Sequence, residues 1–225
     1  MAKFSKSGGM LFTQISSGIY RGKKLALPAF SSTRSTKSIV KGSFFDTWRA
    51  ELRGAAFIEC FGGSGAMALE ALSNGAKNVY AIEKDAAAHK IMRKNFELFG
   101  LGANAILGDC FERLPEILHE LQADMNGCSA VNFSESHTVN SSENSFFDPA
   151  RRVFVYLDPP FAIRQGFGEI YERVLALIAR LGSAQYELLI AIEHMSELEL
   201  PPKIGDFALL KSRKFGATTM SYYVK

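Results

Sequence analysis

Residues 152–161 read RVFVYLDPPF, an apolar run that stops abruptly at Asp158-Pro159-Pro160-Phe161. Five consecutive apolar or aromatic residues predict a strand that is covered on both faces, as in a parallel sheet. The two prolines end the strand because each lacks an N–H and fixes φ, so the Pro159 carbonyl points outward. A carboxylate, a carbonyl and an aromatic ring can then hold an amine on a planar ring. A bare Asp-Pro-Pro favours a merely solvated strand end over a functional one, so the function depends on what lies upstream.

The composition is that of a single globular domain with a small appendage, since 47% of the 225 residues are apolar and 22% are charged. No run approaches the roughly 18 apolar residues of a membrane helix, and no signal-peptide pattern opens the chain. We therefore expect a cytoplasmic protein that does not contact membranes. Three cysteines and four histidines show no metal-ligand spacing, which predicts reduced thiols and no metal.

The charge is distributed unevenly, although the net charge is only +3. Residues 1–45 contain no Asp or Glu but eight Lys or Arg. Such a basic segment on a mildly acidic body is typical of nucleic-acid binding. A disordered solubilising tail is the alternative, but apolar residues such as Ile15 and Leu25 predict order. We expect a basic hairpin arm over residues 1–30 and a main domain over 31–225.

A strand, a glycine loop and a helix follow one another without a gap from Ala55 to Leu72. The strand ends at Cys60, and the loop Phe61–Gly65 has glycines that permit positive φ and let a ligand approach the backbone. The next strand, Asn78–Glu83, ends in an acid eighteen residues beyond Gly65. This spacing suits a carboxylate that binds the ribose of a nucleotide cofactor.

The remaining chain continues the alternation of strands and helices and ends in an antiparallel pair. The predicted elements are a helix from Gly42 or Ser43, a helix capped by Asp85, a strand at Ala103–Leu107, helices near 114–121 and 166–181, a strand at Tyr186–Ile192, and strands at Phe207–Arg213 and Thr218–Val224. This pattern predicts an α/β, Rossmann-like fold with a seven-stranded, mostly parallel sheet. Residues 126–145 form a Ser/Asn-rich insertion that we expect to be a flexible loop, removable without loss of activity.

The glycine loop alone leaves two cofactors open. Residues 63–68, GSGAMA, satisfy the GxGxxA dinucleotide pattern as well as that of an S-adenosylmethionine enzyme. A dehydrogenase also needs hydride-transfer residues, whereas Asp158-Pro159-Pro160-Phe161 offers acceptors to an amine. The combination resembles N-methyltransferases that modify the exocyclic amines of bases.

Within that class the chain resembles the bacterial RsmD-type family, which methylates the N2 amine of a guanine in 16S ribosomal RNA. The matching segments are ISSGIYRGKKLALP (15–28), TRST (33–36), ECFGGSGAMALEAL (59–72), DPPF (158–161) and KSRKFGATTMSYYV (211–224). Departures are Glu59 where the family tends to Asp, Ser35 where it tends to Pro, and the insertion. The resemblance implies a class I methyltransferase fold, S-adenosylmethionine as cofactor, and guanine 966 as target. It also implies a monomer that acts on 16S rRNA in the small ribosomal subunit or an assembly intermediate.

The resemblance also assigns roles to residues. It implies that Glu83 binds the ribose and that Asp109 with the Cys110 backbone contacts the adenine. Cofactor-binding residues would be Arg34, Thr36, Glu59, Phe61, Gly62, Gly63, Ser64, Gly65, Glu83, Asp109 and Cys110. Catalytic residues would be Asp158, Pro159, Pro160 and Phe161, and RNA-binding residues Arg21, Lys23, Lys24, Lys37, Lys211, Arg213 and Lys214.

Two other functions remain open from the residues alone. A DNA adenine or cytosine amino methyltransferase would share both motifs, although no separate target-recognition domain is visible. A non-catalytic RNA-binding assembly factor would share the basic arm.

Overall fold

The structure, a computed structural model, describes residues 11–28, 34–128, 151–160, 169–181 and 186–225, and only the backbone of 34–37 and 125–128. Helices lie on both faces of one large sheet, and a two-stranded hairpin packs beside them. The hairpin strands are β1 (Leu11–Gln14) and β2 (Lys24–Leu27). The helices are α1 (Arg34–Trp48), α2 (Ala66–Ser73), α3 (Ala86–Glu97), α4 (Cys110–Cys128) and α5 (Ile170–Arg180).

The strands of the large sheet fall into a parallel and an antiparallel half. They are β3 (Ala56–Cys60), β4 (Asn78–Glu83), β5 (Ala105–Leu107), β6 (Arg152–Leu157), β7 (Glu187–Met195), β8 (Lys203–Ile204), β9 (Phe207–Phe215) and β10 (Thr218–Val224). Their order is β5-β4-β3-β6-β7-β10-β9-β8. Strands β3 to β7 are parallel, and β10, β9 and β8 extend the sheet antiparallel. The predicted count of seven strands is wrong by one, because β8 has only two residues and leaves no pattern in the sequence.

Strand β6 lies at the centre of the sheet, between β3 and β7. Val153, Val155 and Leu157 pack on the side of α4 and α5. Phe154 and Tyr156 pack on the opposite side, with α1, α2 and α3. Burial of both faces explains the unbroken apolar run in the sequence.

Helix α1 begins at Arg34, so the predicted start at Gly42 or Ser43 is wrong. The Ser-, Thr- and Lys-rich residues before Gly42 lack the apolar periodicity that predicts a helix. Val40 and Phe44 nevertheless share one buried face, four residues apart. The Phe44 ring packs edge-on against Tyr156 with 5.6 Å between centroids, which fixes α1 above the centre of the sheet.

The hairpin is held to the main domain through Glu70 of α2. Its carboxylate, fully buried, accepts hydrogen bonds from the backbone N–H of Ser16 at 2.9 Å and of Ser17 at 2.8 Å. It also pairs with Lys41 of α1, with 2.6 Å between Nζ and Oε2. The hairpin turn lies so close to α2 that a Cβ on Gly18 would stand 1.8 Å from the Ser73 carbonyl oxygen. A hairpin is present within the described part of the predicted arm, residues 11–28, and it packs against the main domain.

Two further predictions concern the insertion at residues 126–145 and membrane-spanning helices. Helix α4 continues to Cys128, three residues into the segment predicted as a loop. The rest of the 126–145 insertion lies outside the described residues. Among the helices that are described, none combines the length and the apolar character needed to cross a bilayer.

Candidate active site

A cavity of about 440 Å³ opens at the carboxyl edge of the parallel strands. Its walls come from the ends of β3, β6 and β7, the glycine loop, α1 and the hairpin. Open parallel sheets bind ligands at this edge. The sequence placed its candidate residues at the same edge.

The glycine loop has a left-handed backbone at three positions. Phe61, Gly63 and Gly65 have φ values of 59°, 54° and 73°. A side chain at Gly65 would clash, because its Cβ would stand 2.4 Å from the Phe96 ring. Phe61 adopts a conformation that costs a bulky residue about 1–3 kcal/mol, and such strain is typical of functional loops.

Glu83, at the tip of β4, holds the loop in place. Its Oε2 accepts from the Gly63 N–H at 2.7 Å, and its Oε1 accepts from the Asp85 N–H, also at 2.7 Å. The carboxylate is therefore oriented by main-chain donors on both sides. Each oxygen has a second lone pair, so two neighbouring hydroxyl groups could also be bound.

Glu59, on β3, is buried beneath the loop. Its Oε2 accepts from the Ala68 N–H at 2.9 Å, in the first turn of α2. The positive end of the helix dipole stabilises a carboxylate at this position. Glu59 lines the cavity, where it can face a cationic group.

Asp109 precedes α4 and is surrounded by cations. It accepts from the Lys84 ammonium at 2.9 Å and from the Phe111 N–H at 3.1 Å, and Arg173 of α5 approaches to 3.7 Å. Partial burial would raise the pKa of Asp109, but the Lys84 and Phe111 hydrogen bonds and the nearby cations outweigh it and lower the pKa. Asp109 is therefore a permanent acceptor near neutral pH.

Asp158, Tyr156 and Glu193 form the other part of the cavity wall. Tyr156 donates to Glu193 with 2.7 Å between Oη and Oε2. Burial raises the pKa of Tyr156 well above its ordinary value, and the carboxylates of Glu193 and Asp158 add to this. The phenol is therefore protonated and donates, while the carboxylates accept.

The hairpin forms a further wall of the cavity. Phe12, Gln14 and Lys24 line the cavity together with Lys41. The Lys41 ammonium donates to the Gln14 carbonyl at 3.1 Å and to Glu70. The same ion pair that binds the hairpin to α2 therefore shapes the cavity.

The predicted site residues fall into three groups: those that line the cavity, those that lie near it, and those whose side chains the structure does not describe. Glu59, Phe61, Gly62, Gly63, Ser64 and Asp158 line one cavity. Glu83 accepts from Gly63 of the loop, Asp109 immediately precedes α4, and Cys110 is buried at the start of that helix. Phe161 lies outside the described residues, and of Arg34, Thr36 and Lys37 only the backbone is described. The roles assigned to all the predicted site residues stay predictions.

Among the predicted RNA-binding residues, Lys24 lines the cavity, and Arg21 and Lys214 are exposed. Lys23 stands 4.7 Å above the Phe99 ring. Lys211 lies 4.4 Å above the Trp48 ring. Arg213 donates to Ser43 and Thr47 of α1. The last two residues therefore also stabilise the packing of α1 on the sheet.

The sequence missed Glu193 and the cavity-facing residues of the hairpin. Glu193 is the only acidic residue in the run Leu188–His194, and it lies near the end of a buried strand. The argument that identified Glu83 and Asp158 would have identified it too. No sequence pattern indicated that Phe12 and Gln14 face the cavity, because that depends on how the hairpin packs.

Comparison with known proteins agrees with the geometry. The chain matches the sequence model of the family described as Conserved hypothetical protein 95 over residues 13–125 and 105–224. It is 28% identical over 214 residues to Ribosomal RNA small subunit methyltransferase D of Escherichia coli K12, covering 93% of this chain and 88% of the relative. The Haemophilus influenzae protein of the same name is 24% identical over 212 residues, covering 93% of this chain and 92% of the relative.

Among solved structures, the Escherichia coli protein yhhF superposes with a TM-score of 0.64 at 24% identity, covering 95% of this chain and 98% of that one. The Thermus thermophilus protein TTHA0928 gives a TM-score of 0.59 at 24% identity, covering 93% and 98%. The fold is that of the class I methyltransferases. It belongs to the Conserved hypothetical protein 95 family, which confirms the resemblance drawn from its sequence.

Proposed function

We propose that this protein transfers a methyl group from S-adenosylmethionine to the exocyclic N2 amine of a guanine in 16S ribosomal RNA. One observation carries the proposal. Asp158, at the tip of β6, opens into the same cavity as the glycine loop and the buried Glu59. Acceptors for an amine and a cofactor loop therefore share one enclosed space, as methyl transfer requires.

The residues present fit S-adenosylmethionine by their chemistry. When bound, this cofactor supplies an electrophilic methyl group on a sulfonium. Glu83 would accept from the ribose hydroxyls, Glu59 would face the amino group and Asp109 would accept from the adenine amine. Gly63 has open space where a Cβ would stand, so a ligand can lie against the loop backbone.

Asp158 and the Pro159 carbonyl would accept hydrogen bonds from the guanine N2 amine and so orient its nitrogen. As the new N–CH3 bond formed, the S–CH3 bond would break to leave S-adenosylhomocysteine, and the proton lost by the amine would pass to Asp158 or to water. The rate gain would come from positioning and from fixed charges. A guanine in a base pair cannot enter an enclosed cavity, so the target must be unpaired or flipped out.

Two features support ribosomal RNA as the partner. The relatives named above, from Escherichia coli and Haemophilus influenzae, are ribosomal RNA methyltransferases. In addition, one wall of the cavity is formed by a hairpin that carries Arg21, Lys23 and Lys24. Such residues neutralise phosphates, and binding through them weakens as the salt concentration rises.

The test is transfer of radiolabelled methyl from S-adenosylmethionine to small ribosomal subunits, free 16S RNA and duplex DNA, followed by nucleoside analysis. We expect N2-methylguanosine from a ribosomal substrate and none with the Asp158→Ala variant. Label found only in DNA would favour an adenine or cytosine amino methyltransferase. Tight cofactor binding without transfer to any substrate would favour a non-catalytic assembly factor.

A further inference from the structure

The roles assigned above leave one buried acid of the cavity unused. Glu193 of β7 is 4% exposed, lines the cavity and accepts from the Tyr156 hydroxyl at 2.7 Å. Burying a carboxylate costs several kcal/mol unless hydrogen bonds compensate for it. A carboxylate kept at a ligand cavity despite that cost suggests a ligand contact.

The register of the sheet places Glu193 beside the acceptor of the reaction. Leu157 of β6 pairs with Ile192 of β7, so the next residues along the two strands are Asp158 and Glu193. Side chains alternate along a strand. Glu193 therefore points to the same face as Ala191 and Tyr156, which belong to the core beneath α1.

Tyr156 fixes the orientation of this carboxylate. Because the buried phenol is protonated, it donates to Oε2 of Glu193 at every ordinary pH. A carboxylate has four lone-pair positions, and Glu193 lines the cavity, so it can accept from a ligand there as well as from Tyr156. The acceptor is thus pre-oriented by Tyr156, which is what discrimination between similar ligands requires.

We propose that Glu193 is a specificity-determining residue that accepts the N1–H of the target guanine, while Asp158 and the Pro159 carbonyl accept from its N2 amine. This inference rests on the function proposed above. Guanine presents N1–H and the N2 amine as adjacent donors. A 2-aminopurine base without N1–H presents a lone pair there instead, which a carboxylate repels.

The test compares guanine with 2,6-diaminopurine at the methylated position of the ribosomal substrate. Diaminopurine keeps the N2 amine but has an acceptor at N1. We expect the wild-type protein to prefer guanine by roughly 10- to 100-fold in kcat/KM, the usual range for a well-made base contact. Glu193→Gln retains an oxygen for Tyr156 and can present an amide N–H to the base.

In Glu193→Gln, kcat/KM for guanine should fall by about the same 10- to 100-fold. The kcat/KM for diaminopurine should rise, because the amide of Gln donates to N1 of that base. The ratio of kcat/KM for guanine to kcat/KM for diaminopurine should therefore fall or invert. Cofactor affinity should not change. Glu197→Gln, the same substitution at an exposed position of the same region, should leave both values unaltered.

Tyr156→Phe provides a second variant, since it keeps the carboxylate but removes the group that orients it. We expect a smaller loss of the guanine preference. An equal fall of kcat/KM on both bases in Glu193→Gln, with the ratio unchanged, would show a purely structural role and overturn the inference. A wild-type protein that methylates no guanine in any RNA would instead overturn the proposed function itself.

Discussion

The two halves of the cavity edge hold their acidic side chains in different ways. At the tips of β3, β4 and β5, Glu59, Glu83 and Asp109 each accept a backbone N–H of an adjacent loop or helix. At the tips of β6 and β7, Glu193 accepts from a phenol 37 residues away in sequence. A further wall there is a hairpin attached through the Lys41–Glu70 ion pair.

On the function proposed above, the difference separates binding of the cofactor from binding of the substrate. The first half, which we call the cofactor half, is made of main-chain contacts that form with the loop itself. The second, the substrate half, depends on packing between distant elements. Changes in the cofactor half should therefore weaken cofactor binding, whereas changes in the substrate half should spare it.

The largest expected effect is that of Asp158→Ala. Removing the acceptor of the amine should lower methyl transfer by about 1,000-fold or more, measured with radiolabelled S-adenosylmethionine. Cofactor affinity, measured by calorimetry, should stay within about twofold of wild type. Asp206→Ala, a change of the same kind at an exposed position that pairs with Lys225, should not alter either quantity.

A loss of cofactor affinity in Asp158→Ala would contradict the division into halves. It would mean that the tip of β6 also determines how the glycine loop is arranged.

Glu70→Ala tests whether the hairpin wall depends on a buried charge. It would leave the Lys41 ammonium unpaired and five hydrogen bonds to Glu70 unmade. We expect the free energy of unfolding to fall by about 3 kcal/mol, as measured by urea denaturation.

The double variant Lys41→Met/Glu70→Ala is the matched control. Removing the unpaired Lys41 ammonium should recover part of the free energy of unfolding that Glu70→Ala loses. A double variant as unstable as the sum of the two single variants would show that the ion pair does not couple hairpin and helix.

Glu83→Ala should weaken cofactor binding by about 2 kcal/mol, the scale of charge-assisted hydrogen bonds. The structure adds a reason, because the substitution also frees the Gly63 N–H that Glu83 holds. Calorimetry on Glu83→Ala and Glu83→Gln would separate the two causes. Gln keeps an oxygen for Gly63, so unequal losses would measure what the loop contact contributes.

The same contrast explains what could be predicted from the sequence. Strand tips such as Glu83 and Asp158 were identified because their neighbours in sequence also surround them in space. Glu193 also lies near the tip of a strand, but no sequence motif adjoins it, so it was not predicted. The cavity side of the hairpin depends on Glu70 and Ser73 of α2, more than fifty residues away from the turn. A local sequence pattern cannot predict a contact between residues that lie so far apart along the chain.

Lys84→Met should have the smallest effect, and its pH dependence identifies the cause. The lowered pKa of Asp109 means that the folded state favours the carboxylate, so this contribution to stability is present above the ordinary Asp pKa and is lost as the pH falls through the lowered one.

Because Lys84 is 74% exposed, the free energy of unfolding of the wild type should exceed that of Lys84→Met by only about 0.5 kcal/mol near neutral pH. The difference should vanish once the pH falls below the lowered pKa of Asp109, and it should shrink in high salt. Urea denaturation across this pH range would measure the difference, with Lys90→Met, at an exposed lysine of α3, as control. A difference that stayed constant with pH would show that Lys84 stabilises the cofactor half by packing instead of charge.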